Sequence, residues 1–279
     1  MTNLTTIPKF SVLMSIYYKE DAKHFQEALE SIWDKQTCKP DEIILIQDGP
    51  LTPELYSVID SWLNTYPHIF KTTKLSENVG TGKAKNIGLN ECLYDYVAIM
   101  DTDDLAVPDR FERQLKFLMN HPDVVLVGGQ IIEFEGSVNN PLSIKKVPTS
   151  HDEIISYAKK RSPFNHPSTM YKRTVIQDVG GYQHHLLMED YNLWIRILAA
   201  GYKTTNLDQV LVYMRSRKAM LGRRRGLVYI KSEWQMMQLK NKLQFQHYLS
   251  GIPIFILRSA PRLLPASLLN YVYSVLRSN

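Results

Sequence analysis

At 279 residues, 44% hydrophobic and 22% charged, the chain has room for one large α/β domain with an appendage, and global disorder is excluded. Its two cysteines, Cys38 and Cys92, are too few for a disulfide framework and lack zinc-site spacing, as suits a reducing compartment. The net charge of +5 hides a split: from Arg215 onward twelve cations accompany one acid, Glu233, while the preceding part holds twenty-one cations and twenty-seven acids.

In chain order, residues 10–16 (FSVLMSI) form a compact apolar run of strand length. Residues 21–33 place Phe25, Ala28, Leu29 and Ile32 at helical spacing, with Asp21 as N-cap. A second buried strand spans 42–46 (EIILI), and a helix with proline in its first turn spans 53–63. A short strand is expected at 69–75, a helix at 80–92, an apolar strand at 96–100 (YVAIM), a helix at 108–119 and a strand at 124–127. Strands alternating with helices predict a mostly parallel sheet covered on both faces. Ligands then gather at the carboxyl ends of the strands, which selects Tyr17, Asp48 and Asp101 to Asp104.

Beyond Gly129 the pattern changes. Residues 135–150 read as loop or hairpin, 150–159 as helix, Gly180-Gly181 as a turn, and 189–199 as a helix stopped by Gly201. A long helix is expected over 223–248. Residues 252–276 are apolar but broken by Arg258, Pro261, Arg262 and Pro265, which fits a surface-lying amphipathic region better than a membrane span. Residues 1–8 lack a cationic segment followed by an apolar core, so no secretion signal is expected.

Asp101, Asp103 and Asp104, in MDTDD, follow a buried strand. Carboxylates at i and i+2 share a face in extended backbone, and hard oxygen ligands suit Mg²⁺ or Mn²⁺ completed by diphosphate oxygens. The competing reading is an Asp-rich turn capping the next helix. Gly80-Thr81-Gly82-Lys83 imitates a P-loop, but Glu77 and Ala84 stand where that motif needs Gly and Ser or Thr. Glu189 and Asp190 open a helix, where the macrodipole alone would favour acids.

Together these segments resemble the family 2 glycosyltransferases, over roughly residues 10–215. SVLMSIYYKED is similar to the opening strand and uridine-contacting loop, EIILIQDGP to the second strand ending in the uracil-contacting aspartate, here Asp48. NVGTGKAKNIGL resembles the donor-enclosing stretch, MDTDD the metal motif, and MEDYNLWIRILAAGYK the stretch bearing the catalytic base. Gln47, Pro50 and Lys85 depart from the family pattern, and Lys85 cannot make an arginine's bidentate phosphate contact.

The resemblance implies a single nucleotide-diphospho-sugar transferase (GT-A, Rossmann-like) α/β domain over 1–215, with a nucleotide-binding half 1–130 and an acceptor half 131–215. A basic amphipathic helical region follows at 216–279. It implies an inverting, metal-dependent hexosyltransferase using Mn²⁺ or Mg²⁺ at Asp101, Asp103 and Asp104. Asp190 is the expected base, with Glu189 as alternate. Tyr17, Glu20, Asp48, Asn78, Gly80, Lys85, Asn86 and Asp101 are expected at the UDP-sugar donor. His166, Trp194, Arg215 and Arg217 are expected at the acceptor or its phosphate, with core packing the competing role for Trp194. The basic tail, including GRRRGLVYIKSE, resembles the subgroup that builds bacterial surface polysaccharide on lipid-diphosphate-linked sugars, often with β-1,3 linkages. A cytoplasmic protein peripheral on the inner face of the membrane is therefore expected. A nucleotidyltransferase would want a glycine-rich loop after the first strand, and none stands at 15–21. A hydrolase needs no nucleotide site, and a nonenzymatic nucleotide-binding membrane protein needs no base. Nucleic acid is disfavoured because no recognition motif accompanies the arginines.

Overall fold

The structure is a computed structural model that describes residues 7–216 and 226–263. Arg217, the arginine run 223–225 and the end of the 252–276 segment lie outside the described residues.

The sheet grows around β1 (Phe10–Ile16), which pairs in parallel with β2 (Glu42–Gln47) and β4 (Tyr96–Ile99). β3 (Phe70–Lys74) adds in parallel outside β2. Every residue of β2 is buried, as a strand covered on both faces requires. Alternate residues feed opposite core layers. Val12, Met14, Ile43 and Leu45 pack with α1 (Ala22–Ile32), α2 (Pro53–Thr65) and α4 (Arg110–Asn120). Leu13, Ile44, Ile46 and Ile99 pack with α3 (Thr81–Glu91) and α7 (Glu189–Ala199). A fully buried side chain such as Phe111 contributes roughly 1.5–3 kcal/mol relative to exposure. Asp21 caps α1 as expected, accepting from His24 N at 2.9 Å.

The full strand order is β3-β2-β1-β4-β8-β6-β9-β5, with β7 (Pro141–Lys145) paired to β6. β8 (Met170–Lys172) runs antiparallel to β4, and β9 (Lys203–Arg215) runs parallel to β6 (Val124–Phe134). The expected parallel sheet therefore forms the first half, and antiparallel pairing enters with β8. The strand expected at 124–127 continues to Phe134. The two-residue β5 (Leu105–Ala106) and all of β9 have no forerunner in the apolar pattern. β9 buries Thr204 and Asn206, and Asn206 Nδ2 donates to the carbonyls of Pro148 and Pro163 at 2.7 and 3.0 Å. Gly128 makes room, since a Cβ there would lie 2.2 Å from Asn206 Oδ1.

α5 (His151–Ala158) carries a Ser150–Glu153 capping box, and α6 (Arg173–Asp178) precedes the turn at Gly180-Gly181. The long helix expected over 223–248 ends early, as α8 (Gly226–Lys242), and after Gln244 at φ +55 a separate α9 (Tyr248–Ser259) leads into the segment expected to be amphipathic. α8 sends Tyr229 and Met236 into the core layer shared with α7.

Candidate active site

Because β1, β2 and β4 are parallel, their carboxyl ends open on one edge of the sheet. There a cleft of about 450 Å³ is lined by Tyr17, Glu20, Asp48, Asn78, Gly80, Asp101, Asp103, Asp104 and Arg215, all expected at the site, together with Thr81 and Met214, which were not. Lys85, Asn86, His166, Glu189, Asp190 and Trp194 do not line it.

Asp48 shapes one wall. Its Oδ1 accepts from Val79 N at 2.7 Å and its Oδ2 from Gly80 N at 3.1 Å, so the carboxylate anchors the turn leading into α3. Gly49, at φ +90, allows this approach: a Cβ there would meet Asn78 N at 2.8 Å. Gly80 begins α3 without a side-chain cap, leaving helix N–H groups beside the cleft, a disposition that favours anions.

Asp104 is 2% exposed and its Oδ1 accepts from Arg215 N at 2.9 Å, so it braces the turn against β9 while still lining the cleft. Arg215 also lines the cleft: its Nε donates to Asp103 O at 3.1 Å and its Nη2 pairs with Glu27 at 2.7 Å, which clamps the turn. From below, buried Arg110 donates to Ile99 O at 2.7 Å and to Gln114 Oε1 at 3.1 Å. Among the described residues no three His, Cys, Asp or Glu side chains are gathered for a metal ion. Asp101, Asp103 and Asp104 all line the cleft, and carboxylates so placed fit a Mg²⁺ or Mn²⁺ shell that diphosphate oxygens complete.

A second wall, beside the cleft and outside its lining, holds the acid pair. Glu189 and Asp190 start α7, and Glu189 Cγ lies 3.3 Å from where a Cβ on Gly82 would stand. Gly82 directly follows the cleft residues Gly80 and Thr81, so the two walls meet at the start of α3. Burial pushes the Glu189 carboxyl above its usual range, and the adjoining Asp190 charge adds to this.

Between the walls runs a polar chain that no spacing rule foretells. Lys85 Nζ, 4% exposed, donates to Asp101 Oδ1 at 3.1 Å and lies 3.4 Å from His166 Nδ1. His166 Nε2 meets Tyr182 Oη at 3.0 Å, and Tyr182 Oη meets Tyr171 Oη at 3.3 Å. An ammonium has no acceptor, so Nδ1 accepts and Nε2–H donates to Tyr182. Burial, with Lys85 nearby, pushes the imidazole down to about 4. Asn86 pins the same loop, exchanging hydrogen bonds with Tyr182 N at 2.7 Å and Tyr182 O at 2.5 Å. It is a positioning residue here, whereas a donor contact was expected. Trp194 is fully buried against Phe164 and His166, the core-packing role of the two expected for it.

The loop before the acid pair is held by α8. Ser232 Oγ donates to Leu186 O, His185 Nε2 lies 3.0 Å from Ser232 O, and Lys240 Nζ donates to Tyr191 Oη at 2.6 Å. Leu187 sits at φ +61, a costly backbone for a branched residue that such contacts maintain.

Comparison with known proteins identifies the family and the fold. The family model for Glycosyl transferase family 2 matches residues 11–180, and that for Glycosyl transferase family group 2 matches residues 96–277. The UDP-Gal:alpha-D-GlcNAc-diphosphoundecaprenol beta-1,3-galactosyltransferase of Escherichia coli is 44% identical over 266 residues, covering 95% of each chain. Amylovoran biosynthesis glycosyltransferase AmsE of Erwinia amylovora is 40% identical over 264 residues, covering 95% of this chain and 97% of that relative. The solved Pyrobaculum calidifontis mannosyltransferase PcManGT, in complex with GDP-Man and Mn²⁺, shares the fold at TM-score 0.65 and 19% identity, covering 99% of this chain and 82% of that one. S. aureus TarS in complex with UDP-GlcNAc does so at TM-score 0.65 and 17% identity, covering 90% and 73%.

Proposed function

The chain is a member of glycosyl transferase family 2, and on that premise we propose that it is an inverting hexosyltransferase of surface-polysaccharide synthesis. It moves glucose or galactose from a UDP-sugar to a lipid-diphosphate-linked GlcNAc or GalNAc, forming a β-1,3 linkage. The E. coli relative is itself a UDP-Gal transferase acting on GlcNAc-diphosphoundecaprenol, which supports both substrates. The protein works in the cytoplasm, peripheral to the inner face of the membrane, which it meets through its basic region 216–279.

The observation that carries this reading is the meeting of two walls at one helix start: Gly80 and Thr81 line the cleft, and Gly82 packs beneath Glu189. Tyr17, Asp48 and Asn78 hold the nucleoside end of the donor. Mn²⁺ or Mg²⁺ at Asp101 and Asp103 would supply positive charge against the diphosphate as it leaves. Lys85, held between Asp101 and His166, adds a fixed cation on that side. Asp190 accepts the proton of the attacking hydroxyl, with Glu189 beside it. A single displacement from an α-linked donor gives a β-glycoside.

The test is a panel of UDP-sugars with a synthetic GlcNAc-diphosphate-lipid acceptor and Mn²⁺. The expected product is a β-linked disaccharide from one or two donors. Failure of every UDP-sugar to react would overturn the assignment.

A further inference from the structure

The outward face of α9 is apolar where a surface helix is ordinarily polar. Leu249, Ile252, Ile256 and Leu257 are 77%, 42%, 57% and 75% exposed. With exposed Pro253 they recur at the i, i+3, i+4, i+7, i+8 spacing of a single helix face.

The inward side mixes half-buried Ile254 and Phe255 with one anchoring charge, Arg258. Arg258 Nε lies 2.8 Å and its Nη2 2.6 Å from the buried carboxylate of Glu233 on α8. Gly251 lies against Met237, 3.2 Å from where a Cβ would stand. The ion pair fixes which apolar side faces out, since rolling the helix over would leave the buried Glu233 carboxylate uncompensated. Beside it, α8 exposes Lys231, Trp234, Gln238 and Lys242 along one stripe. Trp234 packs edge-on against Phe255 at 5.5 Å, which joins the stripe to α9. An indole flanked by lysines next to an aliphatic face suits the boundary between headgroups and acyl chains.

We propose that the outward face of α9, rimmed by Trp234, Lys231 and Lys242 of α8, is the surface by which the protein lies on an anionic lipid bilayer, an inference that rests on the acceptor being lipid-linked. Residues 216–279 carry eleven cations and one acid, so two copies meeting face to face would repel, whereas anionic headgroups neutralise them. No helix among the described residues is long and apolar enough to cross a membrane, so contact is in the interfacial plane. The same α8 bonds to Leu186 and Tyr191 on either side of the acid pair. Docking through α9 therefore holds Glu189 and Asp190 in a fixed relation to the headgroup layer, where an acceptor diphosphate resides.

The experiment is co-sedimentation of the full chain with vesicles of equal parts phosphatidylcholine and phosphatidylglycerol, and with phosphatidylcholine alone. We expect preference for the anionic vesicles that falls with added salt. Ile252→Glu with Ile256→Glu should weaken partitioning about tenfold or more, while transfer to a water-soluble short-chain acceptor stays unchanged. Equal partitioning of variant and wild type overturns the proposal. So does a dimer that the double variant dissociates in a protein showing no vesicle binding. Vesicle binding that needs this face, in a protein that transfers no sugar to any acceptor, upholds the docking surface and removes the transferase reading instead.

Discussion

The two walls of the site are built by different means. The donor wall comes from adjacent parallel strands, whose ladder brings Asp48 and Asp101 to one edge because β1 pairs with both β2 and β4. The acid wall is a loop and a helix start held by side chains reaching across 46 to 49 residues of sequence, from Ser232 and Lys240. A ladder tolerates the loss of any one side chain, whereas a loop held by a few side-chain contacts does not. The donor wall should therefore fail by losing ligand, and the acid wall by losing rate.

The largest effect is expected at the acidic turn. Asp103→Ala should abolish metal-dependent donor binding in a titration with and without Mn²⁺; metal dependence that survived would remove Asp103 from the site. Asp104→Asn sharpens the contrast, because it should lower stability by about 1–3 kcal/mol in denaturant while donor binding persists in the folded fraction. A smaller effect belongs to the acid wall: Ser232→Ala or Lys240→Met should lower kcat roughly tenfold with the donor KM unchanged. A matching rise in donor KM would mean that α8 supports the whole domain equally.

The smallest effect is a pH dependence. His166 is pushed from 6.5 down to about 4 in the folded protein, so the unfolded chain takes up the proton first. The stability held by its neutral ring is full above pH 6.5 and is lost as pH falls through about 4, by no more than about 1.4 kcal/mol per pH unit. His166→Gln should flatten the fall in denaturation midpoint over that window. An unchanged slope would place the sensitivity elsewhere.

The donor wall was legible in the sequence because its strands are continuous apolar runs, and an aspartate just after such a run has one place to go. The helix start that carries the acid pair was legible too. The direction of Asp104 was not, since its partner is the backbone of Arg215 on β9, a strand whose buried Thr204 and Asn206 hide its apolar pattern. The contact of Lys85 with His166 spans 81 residues, and only the fold brings them together. The apolar residues of α9 were visible as composition, but which way they point depends on Arg258 finding Glu233.

The most direct measurement is UDP-sugar affinity and turnover taken together on Asp190→Asn. Separate walls predict a loss of turnover of about a hundredfold to ten-thousandfold with donor affinity within about threefold of wild type. Full turnover in the variant, or a collapse of donor affinity alongside rate, would contradict the division of labour between the strand-end carboxylates and the acid at the start of α7.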